Sequence, residues 1–188
     1  MYESSDIRKG LKVVLKGDPY TVVDFEFVKP GKGNAFTRTR MKNMRNGNVV
    51  DMTFRSGEKF EKADLEERQM QYLYSDSDSY TFMDTQNYDQ IALQNETVGE
   101  AKNYLKENTV CSVLLFNGEP LGVEVPNFVD LLVTKSDPGV KGDTSSGAEK
   151  PATLETGFTV MVPLFVNEGD ILKIDTRDGS YVERTKLR

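Results

Sequence analysis

TVVDFEFVKPGKGNAFTRTRMKNMRNGNVVDMTFR, residues 21–55, reads as three antiparallel strands joined by two turns. In the first run Val23, Phe25 and Phe27 alternate with Asp24 and Glu26, the period of a strand with one buried face. After the first turn Phe36, Arg38, Arg40 and Lys42 fall on one face, and Ala35, Thr37, Thr39 and Met41 on the other. Arg45 to Asn48, RNGN, is a tight-turn signal, and beyond it Val50, Met52 and Phe54 alternate with Asp51, Thr53 and Arg55. This alternation predicts that residues 1–63 form a small, highly curved antiparallel barrel.

The first of the two turns carries a lone cation. Pro30 sets φ for its first corner, and Gly31 and Gly33 allow positive φ on either side of Lys32. With no bulky neighbour, Lys32 is expected to project its whole stem into solvent. From the motif alone, an ordinary exposed surface turn is the better explanation of a lysine there. Its context adds weight to a binding role: Lys29 precedes the turn, and Arg38 and Arg40 share a face with Phe36. A cationic strand face with an aromatic suits RNA backbone binding.

The remainder continues as short strands. MQYLYSDSDSYTFMD, residues 70–84, reads as a hairpin about an acidic serine turn. ETVGEAKNYLKEN, residues 96–108, is the one helix expected, with Thr97 and Glu100 in a capping-box pattern and Val98, Ala101, Tyr104 and Leu105 on one face. The strand VCSVLLF and the turn NGEP follow. Pro126 and Asn127 mark a boundary. The last third offers FVDLLVTKS, a polar loop from Asp137 to Pro151, then FTVMVPLFV, DILKIDT and SYVERTK. The expected organisation is three small barrels in tandem, residues 1–63, 64–126 and 127–188. Each has a marginal core, so packing between neighbours should matter.

Composition narrows the chemistry. At 37% hydrophobic and 29% charged residues the chain reads as globular rather than disordered. No run approaches the ~18 apolar residues of a membrane span, and MYESSDIRKG lacks the features of a signal peptide. The cytoplasm is the default location. The absence of histidine removes imidazole bases and ligands, and the single Cys111 removes disulfides and thiolate metal sites. Cys111 reads as a small buried hydrophobe. The acidic runs DLEER and SDSDS read as solvated faces rather than metal or acid–base sites.

The net charge of −6 is unevenly spread. Residues 1–63 hold thirteen basic against eight acidic residues, a net +5; residues 64–126 hold three against twelve, −9; residues 127–188 hold eight against ten, −2. A basic segment followed by an acidic one suggests that only part of the molecule meets nucleic acid.

The wording of several separate motifs closely resembles the bacterial elongation factor P family. These are DIRKGLKV (6–13), EFVKPGKGNAFTRTRMKN (26–43), PNFVDLLV (126–133), KSDPGVKGDT (135–144), KPATLETG (150–157) and VPLFVNEGDILKIDTRDGSYVER (162–184). The resemblance runs from Asp6 to the final strand. It implies an N-terminal SH3-like, KOW-type barrel followed by two OB-folds in an L-shaped, tRNA-like arrangement. It implies a factor, not an enzyme, that binds the ribosome between the peptidyl and exit sites and rescues synthesis at consecutive prolines. Lys32 would reach the CCA end of peptidyl-tRNA, with Pro30, Gly31 and Gly33 shaping the tip. Gly142, Asp143 and Thr144 would meet messenger RNA in the exit site, and Tyr181 and Arg184 would be further RNA contacts. No dissociable cofactor is implied, but a lysine-modifying enzyme would extend Lys32, by β-lysylation or an aminopentanol group. Neither a membrane nor a second copy is implied.

Other readings stand beside this one. A specialised paralogue within the family often lacks the tip lysine and the Gly-Asp-Thr triplet, both present here. A general RNA-binding module would have to tolerate the acidic middle third. An enzyme using Lys32 as a Schiff-base nucleophile would need a desolvated amine, the opposite of a glycine-flanked tip.

Overall fold

The structure, a computed structural model, describes residues 1–139 and 147–185. It is mainly β, with three antiparallel half-barrel sheets. The first comprises β1 (Tyr2–Glu3), β2 (Lys12–Leu15), β3 (Asp18–Val28), β4 (Phe36–Asn43), β5 (Val49–Arg55) and β6 (Lys59–Lys62), in the order β1-β6-β2-β3-β4-β5. Strand β6 returns to pair between β1 and β2, which curls the sheet around Ile7, Leu11, Val13, Val22, Met41, Phe54 and Phe60.

The second sheet holds β7 (Leu65–Ser75), β8 (Ser79–Asp84), β9 (Gln90–Gln94), β10 (Val110–Phe116) and β11 (Glu119–Glu124), in the order β11-β10-β7-β8-β9. The third holds β12 (Phe128–Ser136), β13 (Glu149–Leu154), β14 (Thr159–Pro163), β15 (Ile171–Asp175) and β16 (Ser180–Thr185), in the order β14-β13-β12-β15-β16. Leu131 and Val133 point inward from β12 while Asp130 and Thr134 stay exposed, the alternation that a one-sided core demands. By packing, the chain divides into two compact units: residues 1–66 with 115–121, and residues 67–114 with 122–188.

Within the first unit, Arg45 ties segment 115–121 to the barrel. Its guanidinium meets Asp18 at 2.8 Å, donates to Glu119, and lies 5.6 Å from the Phe116 ring centroid. Asn43 holds the turn that presents it, accepting from the Arg45 backbone at 2.8 Å and donating to Asp18 at 3.2 Å.

Two local expectations need correction. Residues 96–108 do not form one helix. An α-turn over Asn95–Val98 breaks at Gly99, whose φ is +55°, and continues as a 3-10 helix to Tyr104. The N-cap is Gln94 without a side-chain cap bond, so the Thr97/Glu100 box is not formed. The apolar face survives, because Val98, Ala101, Tyr104 and Leu105 are all buried.

The second correction concerns β3. Val23, Phe25 and Phe27 are exposed, at 42%, 40% and 62%. Strand β2 pairs only with Asp18–Thr21, so beyond that point β3 is an edge with β4 as its strand neighbour. The register also shifts between Val22 and Asp24, so that Val22, not Val23, enters the core. The alternation was real, but the strand outruns the barrel it belongs to.

Candidate functional site: the tip and flanks of the β3–β4 ribbon

Strands β3 and β4 pair from Tyr20↔Asn43 out to Val28↔Phe36, and the segment 29–35 closes the far end. Lys32 sits in a bend at residues 31–33 and is exposed, as are Lys29, Gly31 and Gly33. Among the described residues no carboxylate pairs with Lys32. The two glycines differ. Gly33 has φ +113°, a conformation that side chains with a Cβ rarely adopt, and its nearest would-be contact is Pro30 Cγ at 3.8 Å. Gly31 lies outside the positive-φ region and has open space where a Cβ would stand. Only Gly33 is required by the backbone, not both.

The expected cationic face exists but is not uniformly basic. Phe36, Arg38 and Arg40 do share a face, and the Arg38 guanidinium lies 5.5 Å from the Phe36 centroid. The pairing sets Glu26 opposite Arg38 and Asp24 opposite Arg40. Arg40 Nε also approaches Asp51 Oδ1 at 3.5 Å across β5, and Lys9 Nζ reaches Asp24 at 3.5 Å. Reading one strand at a time missed this, because the acids belong to neighbouring strands. The hairpin register, countable from the tip, is the signal that would have placed them.

The opposite face carries Phe25 and Phe27, across from Thr37 and Thr39. Beside them lies a hollow of about 310 Å³ lined by Ser4, Ser5, Ile7, Phe25, Phe27, Phe36, Thr37 and Ser56. The reading of β3 as half-buried concealed this surface.

The remaining candidates lie in the second unit. Tyr181 packs partly buried against the third sheet's core. Arg184 lies 5.0 Å from the centroid of the exposed Phe165 and contacts Asp170 at 3.5 Å. Gly142, Asp143 and Thr144 lie outside the described residues. Lys150, in β13, is a buried cation that sequence reasoning did not single out: it is 7% exposed and its Nζ donates to the Asp137 carbonyl at 2.6 Å. No described helix is long and apolar enough to cross a membrane.

Comparison with known proteins matches three successive segments of the chain. The pattern of the elongation factor P KOW-like domain matches residues 3–60, that of the elongation factor P OB domain residues 65–123, and that of the elongation factor P C-terminal domain residues 129–184. The protein named Elongation factor P from Bdellovibrio bacteriovorus is 54% identical over 188 residues, covering 100% of both chains. That from Desulfosudis oleivorans is 54% identical over 186 residues, covering 99% of this chain and 100% of its own. Among solved structures, eukaryotic translation initiation factor 5A from Methanococcus jannaschii superposes with a TM-score of 0.58 at 22% identity, covering 66% of this chain and 92% of its own. A likeness at that identity speaks to fold alone. The full-length sequence matches speak to kinship, and by them this chain belongs to the elongation factor P family of translation elongation factors.

Proposed function

We propose that the protein binds the ribosome between the peptidyl and exit sites and speeds peptide bond formation at consecutive prolines by positioning peptidyl-tRNA. The observation that carries this reading is Lys32, an exposed cation beyond the last pair of an edge ribbon, without a carboxylate partner among the described residues. A cation so presented is suited to reach another molecule's phosphate or sugar oxygens rather than to serve its own fold. Proline is a constrained secondary amine, and holding the CCA end of the tRNA in a reactive geometry lowers the entropic part of the barrier. Each ~1.4 kcal/mol gained is tenfold in rate, so a few well-placed hydrogen bonds suffice.

In this reading the chain performs no covalent chemistry of its own. A lysine-modifying enzyme extends Lys32, by β-lysylation for example, and carries its charge and donors nearer the reacting ends. Pro30, Gly31 and Gly33 shape the tip, and Lys29, Arg38 and Arg40 supply phosphate contacts. Gly142, Asp143 and Thr144 meet messenger RNA in the exit site, with Tyr181 and Arg184 as further RNA contacts. The modules are residues 1–63, 64–126 and 127–188, working as a monomer in the cytoplasm.

The test is reconstituted translation with protein purified from its own cells, comparing a message encoding three consecutive prolines with one encoding none. Faster full-length synthesis on the proline message alone, lost with Lys32→Ala, is the expected result. Equal effects on both messages, or full rescue by Lys32→Ala, would overturn the proposal.

A further inference from the structure

We infer that Lys150 is a positioning residue: its buried side chain pins the chain just beyond the end of β12, and so fixes the base from which Gly142, Asp143 and Thr144 meet messenger RNA. The inference rests on the message-contact reading above and adds to it a residue that touches no RNA itself. Strand β13 turns Lys150, Ala152 and Leu154 inward and leaves Glu149 and Pro151 outside. Lys150 pairs across the sheet with Val162, which is fully buried. An apolar side chain suits that position, and a cation there costs desolvation. Among the described residues one contact offsets the cost: Nζ donates to the Asp137 carbonyl at 2.6 Å. Asp137 is itself exposed, so water is at hand for its carbonyl. The bond therefore fixes where the chain runs at Asp137 rather than rescuing an orphaned group.

The residues on either side of Asp137 are held as well. The Ser136 backbone N–H donates to Glu168 Oε1 at 3.2 Å, and the Ser136 hydroxyl shares the Asp137 carbonyl at 3.4 Å. At Gly139 a Cβ would stand 2.9 Å from the Leu164 carbonyl oxygen and 3.1 Å from the Leu164 Cβ, so the backbone there lies directly against Leu164. Residues 136–139 thus rest on Glu168, Lys150 and Leu164 together, and Gly142 follows Gly139 by three residues. A binding segment whose entry is fixed in advance loses less freedom on docking and engages at lower concentration. A purely core role does not call for a cation, because methionine would fill the same inward position without a charge to bury.

The experiment measures proline rescue against factor concentration for the full chain and for Lys150→Met, Gly139→Ala and Lys102→Met, the last removing an exposed lysine as a control for charge. Lys150→Met and Gly139→Ala should each raise the concentration for half-maximal rescue roughly threefold to tenfold. The maximal rate should hold, because Lys32 is untouched. Lys102→Met should match the parent in both. Lys150→Met should unfold in denaturant no earlier than the parent, since a buried charge gives way to an apolar side chain of similar length. Its Ser136 amide should exchange with solvent about tenfold faster. A parental half-maximal concentration in Lys150→Met, parental exchange at Ser136, or a loss of rescue that only tracks lost stability would overturn the inference. So would an equal rise with Lys102→Met, in favour of charge alone. If Lys150→Met does not fold, Gly139→Ala decides, and parental rescue by it overturns the inference. Failure here with intact rescue by the parent leaves the proposed function standing. A parent that rescues nothing sinks that function, while Ser136 exchange still decides whether Lys150 pins the chain.

Discussion

The Tyr104 hydroxyl lies 2.9 Å from the point where a side chain at position 179 would begin. Tyr104 comes from the short helical segment before β10, yet it is buried among Leu131, Val133, Leu172 and Ile174 of the third sheet. It meets Phe158 edge-on, with ring centroids 5.6 Å apart. Gly179, in the turn between β15 and β16, leaves the space this tyrosine fills, and Thr156 Oγ1 donates to the Asn103 carbonyl beside it at 2.6 Å. A small barrel buries too little surface by itself to be robust. One aromatic from the preceding segment therefore completes the core of the second unit.

Gly179→Ala should destabilise the protein through two separable effects. Its φ of +77° costs any residue with a Cβ roughly 1–2 kcal/mol, and the new methyl would also press on Tyr104 and Phe158. Gly47 has the same φ of +77° with nothing within 4 Å, so Gly47→Ala isolates the backbone cost. Denaturant unfolding should show Gly179→Ala costing about 1–3 kcal/mol more than Gly47→Ala. Adding Tyr104→Phe should recover part of that difference. Equal losses at the two glycines would mean that the second unit yields easily around Tyr104.

At the tip, Gly31 and Gly33 should respond differently to alanine. Gly33, at φ +113°, lies where essentially only glycine is at ease, and strain of ~1–3 kcal/mol would be relieved by reshaping the bend under Lys32. Gly31 has neither positive φ nor a neighbour to strike. Gly31→Ala should therefore keep most proline rescue, and Gly33→Ala should lose several-fold while the melting temperature of both stays near that of the parent. Equivalent loss at the two positions would show that the bend seen here is not the conformation that acts.

Cys111 should be chemically silent in the folded protein. It is 2% exposed in β10, its thiol lies 3.6 Å from the Met70 carbonyl, and burial pushes its pKa from 9.0 up to about 12. The folded state thus holds the proton more tightly than the unfolded chain. This contribution to stability is complete below pH 9 and is lost as pH rises through the interval toward 12. A thiol reagent at pH 8 should label the protein only after denaturant is added. Rapid labelling without denaturant would place Cys111 in a part of β10 that opens readily.

Most strands were legible because period-two alternation survives wherever one face of a sheet is covered. The alternation of Val23, Phe25 and Phe27 misled because periodicity reports a strand, not what packs on it. How far β2 extends along β3 decides that, and it is a tertiary fact. Lys32 was visible because glycine and proline punctuate a tip by local chemistry. The acids facing Arg38 and Arg40 were not, since charge balance on a sheet is a property of adjacent strands. Gly99 ended a helix that spacing alone would have continued, through a positive φ that no residue periodicity registers.

That charge balance gives a final prediction about ribosome affinity. Arg40 faces Asp24 and approaches Asp51 at 3.5 Å, whereas Arg38 faces Glu26 and stacks on Phe36. Both arginines are exposed, so these contacts are weak and screened by salt, but they compete with any phosphate for the guanidinium. A phosphate contact to RNA contributes roughly 0.7 to the slope of log affinity against log salt. Arg38→Gln should lower the slope for ribosome binding by about that amount, and Arg40→Gln should lower it less. Asp51→Asn frees Arg40 from one competitor and should raise both affinity and slope. If Arg38→Gln and Arg40→Gln both leave the slope unchanged while Asp51→Asn weakens binding, this face holds the sheet together rather than meeting RNA, and phosphate contact must come from Lys29 and Lys32.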